Sequence, residues 1–165
     1  MAFILHKGKV KTMYFKKDDT TREVRNGGLV VINDSGSVAP PMNDSNDKIV
    51  GVCRANDTVT DSAFNTNGDQ GSCPVGFVPV EVAVENFVEY LIDLDSDAGA
   101  ADSDVGRQVS ADTTGGNSVN AGDSAGMRLD ISDSASPHVF ITGIVSASRV
   151  TGVIMPSAIT QSFDT

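Results

Sequence analysis

Tryptophan is absent from the 165 residues, tyrosine occurs twice and phenylalanine seven times, so a core has to be built from aliphatic side chains. Cysteine is almost as scarce, with only Cys53 and Cys73. Two thiols without a neighbouring histidine do not make a zinc site. A disulfide between them would close a loop over the polar stretch RANDTVTDSAFNTNGDQGS and stabilise by roughly 3 kcal/mol. A reducing compartment argues against that bond, so two free structural thiols are expected. No apolar run approaches the ~18 residues of a membrane span. The opening AFIL is too short for a signal-peptide core and precedes its charges, so a soluble chain made in a cytoplasm is expected.

Basic residues are also few, and they are gathered at one end. Residues 1–25 hold Lys7, Lys9, Lys11, Lys16, Lys17, Arg22 and Arg25 against three acidic groups, a net +4. The other 140 residues carry five basic against nineteen acidic groups, a net −14 within an overall −10. Such a body repels nucleic acid. A basic segment on an acidic body reads as a tether to an acidic partner surface or as a solvated first strand and turn. Residues 1–25 are therefore expected to form a basic arm or edge strand, and 26–165 a single domain. Fully extended, such an arm would reach roughly 80 Å.

What the chain has in quantity is glycine, sixteen in all, with much Asp, Ser, Asn and Thr between short β-branched runs. This is the composition of tight turns joining strands. In VPVEVAVENFVEYLIDLDSDAG, the residues Val78, Val80, Val82, Val84, Val88, Tyr90, Ile92 and Leu94 all fall at even positions. A period of two predicts strands over Val80–Val84 and Val88–Leu94, although the second segment also fits a helical spacing. Further strands are expected at Val10–Phe15, Leu29–Ile32, Ile49–Ala55, near Val59, and at Val105–Val109, Met127–Ile131, His138–Val145 and Arg149–Met155. Gly143 and Gly152 inside the last two suggest a bulge or a close backbone approach. The expected fold is all-β, a compact barrel or sandwich of about eight or nine short strands, with a long Gly/Asp/Ser-rich loop over Asp95–Gly126.

Two motifs carry possible chemistry. GDSAG, Gly122–Gly126, matches a nucleophile elbow with Ser124 as nucleophile, but the motif needs a strand before it and a helix after it. Neither is expected here, and the downstream His138 is only fourteen residues away. In a chain so rich in Gly, Ser and Asp the match reads as chance, and His6 and His138 read as ordinary surface or strand-end residues. DLDSDAGAADSD, Asp93–Asp104, resembles a calcium loop through Asp93, Asp95 and Asp97. Ala98 stands where that loop needs glycine and Asp104 where it needs glutamate, so an acidic turn is expected and no metal or other cofactor. The sequons at Asn33, Asn43 and Asn56 read as Asx-turns. No enzyme is expected.

The stretch VPVEVAVENFVEYLIDLDSDAGAADSDVG, the Gly-rich loop after it and the closing VFITGIVSASRVTGVIM resemble the decoration, or cement, proteins of tailed-bacteriophage heads. The resemblance spans roughly Ile49–Ser157 and excludes the basic opening. It implies a β-barrel or β-sandwich module, often trimeric, that coats the outer surface of the virion and binds the major capsid protein across neighbouring subunits. It implies no catalytic residues, while the acidic body and the short apolar runs predict no nucleic-acid partner and no membrane. The basic residues of 1–25 are the candidate capsid contacts. The alternative reading is a calcium-stabilised β-module of a fibre or adhesin that recognises a receptor or glycan.

Overall fold

The computed structural model describes residues 3–17, 24, 26–33, 35–40, 49–55, 75–85, 87–94, 99–112, 128–134 and 137–155. Among the described residues, eleven strands form two antiparallel sheets. In chain order they are β1 (Phe3–Lys7), β2 (Val10–Lys16), β3 (Leu29–Ile32), β4 (Val38–Ala39), β5 (Ile49–Cys53), β6 (Phe77–Ala83), β7 (Glu89–Asp93), β8 (Gln108–Asp112), β9 (Arg128–Asp130), β10 (Val139–Ser146) and β11 (Arg149–Ile154). The six-stranded sheet runs β1-β7-β11-β10-β8-β9 and the five-stranded sheet β2-β6-β5-β3-β4. The sheets remain open, so the architecture is sandwich-like and the barrel alternative does not hold. Each sheet nonetheless curls, because single parallel bridges join Lys17 to Val38 and Leu94 to Leu129 at the strand ends.

Alternation explains the layering. Phe3, Tyr90, Ile92, Val109, Leu129, Val139, Ile141 and Val150 point inward from the larger sheet and meet Leu29, Val31, Ile49 and Val52 from the smaller one. The opposite face of the smaller sheet is apolar as well. There Val30, Val38, Val50, Cys53, Val78, Val80 and Val82 form a second cluster, joined by Met13 and Phe15. A sheet buried on both faces reads as continuous apolar runs, which is why LVVI and IVGVC show no clean alternation. β5 adds a bulge, since Val30 pairs with Gly51 and Val31 with Ile49, leaving Val50 extra. A Cβ on Gly51 would stand 2.2 Å from the Glu81 carbonyl oxygen, so only glycine lets β5 and β6 approach this closely.

The two sheets share a corner. β1 and β2 are consecutive yet belong to different sheets, and so are β6 and β7. Gly8, at φ +108, turns the first pair, and a Cβ there would meet the Phe87 carbonyl oxygen at 2.8 Å. The Val84 N–H donates to the Lys9 carbonyl (3.1 Å) and the Lys9 N–H to Glu85 Oε1 (2.7 Å), so the two ribbons change sheets side by side.

Several boundaries differ from expectation. β1 and β4 raise the strand count among the described residues to eleven. The strand expected at Val105–Val109 begins later, at Gln108, because a 3-10 turn over Asp102–Asp104 occupies the approach. The Asp104 carboxylate accepts the Ala101 N–H (2.9 Å) and an Arg107 N–H (2.7 Å). Gly106 then sits at φ +90, which breaks an extended path through Val105. The strand expected near Val59 lies outside the described residues. Thr142 is the extra residue of a bulge in β10, next to Gly143 as glycine there suggested.

The backbone N–H of Ala101, and then Arg107, hold the Asp104 carboxyl below its usual range. A lowered acid favours folding above its unfolded value, and that share is lost as pH falls through the folded one. Asp104→Asn is therefore expected to flatten the acid limb of a thermal-stability profile below about pH 4. An unchanged limb would remove Asp104 from the account.

Candidate interaction surface

The basic segment over residues 3–17 lies within the two sheets as edge strands. Phe3 is fully buried and packs edge-on to Tyr90, with ring centroids 6.1 Å apart. Its N–H donates to the Gly27 carbonyl (3.0 Å), and its own carbonyl accepts an Arg54 N–H (2.8 Å). Lys7, at the end of β1, Lys9, in the corner, and Lys11 and Lys16, on β2, are exposed. Lys17 is fully buried beside the second apolar cluster, so its side chain is not on the surface. Arg22 and Arg25 lie outside the described residues.

The β2–β6 register has no shift from Val10 opposite Ala83 to Lys16 opposite Phe77. Two bonds at its ends fix the hydrogen-bonding parity. The Lys9 carbonyl accepts from Val84, and the Lys17 N–H donates to the Gly76 carbonyl (2.9 Å). Odd residues of β2 therefore bond to β6, and even residues turn their N–H and C=O away from it. Pro79 fits the same ladder, because its carbonyl accepts the Arg54 N–H (2.8 Å) and its missing N–H falls on the β5 side. Among the described residues no strand pairs with the outer edge of β2 over Val10–Thr12, and Val38 of β4 bridges Lys17 at its far end. Parity also arranges the side chains. Lys9 and Lys11 share the face of Met13 and Phe15, while Val10 packs on the core between the sheets.

The outer face of the six-stranded sheet is a ladder of polar contacts. The Thr142 hydroxyl bonds Glu89 Oε1 and lies 2.9 Å from the Thr151 hydroxyl. His6 Nε2 comes to 3.9 Å from the other Glu89 oxygen and not to either threonine, so no nucleophile–base pair is formed by this set. Arg149 Nε donates to Asp93 Oδ1 (2.8 Å) further along the same face. His138 is buried, and its Nδ1 accepts the Ala111 N–H (3.2 Å). Ser124 and the rest of GDSAG lie outside the described residues.

The ends of the would-be calcium loop are engaged by cations, Asp93 with Arg149 and Asp104 with Arg107. Asp95 and Asp97 lie outside the described residues. Among the described residues no three acidic, His or Cys side chains are grouped to hold a metal. Cys53 is buried, and Cys73 is outside the described residues. A shallow, largely apolar recess near the corner is lined by Val82, Val88, Tyr90, Val153 and Ile154, with Glu85 at its rim.

The open edge of β2 had a partial sequence signal in its lysines. The direction of its hydrogen bonds had none, since that depends on which strand pairs with it. Comparison with known protein families, characterised proteins and solved structures finds no match to the chain.

Proposed function

We propose that the chain is a structural protein of a phage virion that binds the outer surface of the capsid and cements neighbouring subunits of the major capsid protein. The observation that carries this reading is the pairing of a two-layer aliphatic body, acidic overall, with a basic edge strand whose outer side is open over Val10–Thr12 among the described residues. A closely packed β core resists deformation, which suits a part that bears outward load. An acidic body keeps many copies soluble before assembly. The exposed Lys7, Lys9, Lys11 and Lys16 steer that body towards an acidic patch on the shell. Self-association, with a trimer favoured, belongs to the same proposal.

Mixing the purified chain with undecorated heads is expected to give co-sedimentation and a higher temperature of capsid disruption. Lys9→Glu with Lys11→Glu is expected to weaken attachment about tenfold at low salt, with the loss shrinking as salt rises. Absence of co-sedimentation by the unaltered chain would end the proposal.

A further inference from the structure

The edge of β2 between Lys9 and Thr12 offers more than charge. Val10 and Thr12 are the even residues of this stretch, so their N–H and C=O groups point out of the sheet, in register and two residues apart. Thr12 is exposed, and Lys9 and Lys11 flank these groups on one face. An unpaired strand edge is a template for another extended chain.

We infer that this edge receives an extended acidic segment of a partner, which adds a strand beside β2. The backbone groups of Val10 and Thr12 supply the ladder. Carboxylates at every second position of the incoming strand fall on the face of Lys9 and Lys11. The same lysines argue against a second copy docking its own β2 there, because two such edges would set like charges against each other. The inference deepens the capsid reading and rests on it only for the partner's identity.

The test uses a fluorescent peptide of alternating valine and glutamate, with alternating valine and lysine as control. At low salt the acidic peptide is expected to bind and to slow amide exchange at Val10 and Thr12, read by NMR on the unaltered chain. Thr12→Pro removes an outward N–H without touching the β2–β6 ladder, so it should keep the circular dichroism and melting temperature and weaken binding at least about tenfold. No binding, equal binding of the lysine peptide, full binding by a folded Thr12→Pro, or protection elsewhere would overturn the inference. Should Thr12→Pro not fold, the exchange measurement decides alone. Heads that bind the chain and Thr12→Pro equally overturn the edge and leave the capsid reading. Peptide binding without head binding does the reverse.

Discussion

Tyr90→Ala is expected to lower stability by about 3–5 kcal/mol, a fall of roughly 10 °C in melting temperature. Tyr90 is the largest fully buried side chain among the described residues, and it lies where the sheets meet, edge-on to Phe3 from β1. Its loss leaves a void that neighbouring strands, pinned by their ladders, cannot close. Tyr90→Phe separates volume from acidity. Burial pushes the phenol well above its ordinary value, the Glu81 charge adds to that rise and Arg54 opposes it. A raised acid leaves stability intact below its unfolded value of about 10 and removes it as pH climbs beyond that point. Tyr90→Phe should therefore keep most of the neutral-pH stability and lose less than the unaltered chain at high pH. A melting temperature unmoved by Tyr90→Ala would mean that the two sheets do not share this core.

Arg54→Met is expected to cost about 3 kcal/mol, and Arg54→Met with Glu81→Leu less than the single change. Arg54 Nε donates to Glu81 Oε2 at 2.7 Å, a second guanidinium nitrogen reaches the same oxygen, and a third contact goes to the Phe3 carbonyl. Both side chains are largely withdrawn from water. Removing the guanidinium strands a carboxylate beside Tyr90, whereas removing both charges leaves only lost packing and the unpaired Phe3 carbonyl. Urea unfolding of the single and double variants checks this. If the double variant is no better than Arg54→Met, the pair is not the tie between β1 and the smaller sheet.

The period of two in Val78–Leu94 marks both strands, although β6 begins at Phe77 and ends before Val84, and it conceals a crossing. Val78, Val80 and Val82 are buried in the second cluster, whereas Tyr90, Ile92 and Leu94, of the same parity, are buried between the sheets. Alternation records which side chains are buried, not which sheet buries them. The change of sheet depends on β1 and β2 running alongside and on Gly8 at their corner, contacts distant in sequence. β1 is not legible in the sequence because FILHK has too few alternations to stand out, and its role comes from Phe3 meeting Tyr90. The start of β8 is hidden because Val105 matches a strand by composition, whereas the Asp104 contacts and Gly106 favour a turn. The lysines of β2 were visible as charge. That Lys17 is buried and Lys11 is not follows from the sheet curling until Lys17 meets Val38.

Hydrogen exchange followed by mass spectrometry, on the chain free and mixed with undecorated phage heads, addresses the open basic edge most directly. The expected result is slowed exchange in peptides spanning Lys9–Met13, with β5 and β6 already slow in the free chain and unchanged. Attachment to heads with exchange over Lys9–Met13 unaltered, and protection gained on the outer face of the six-stranded sheet, would contradict it.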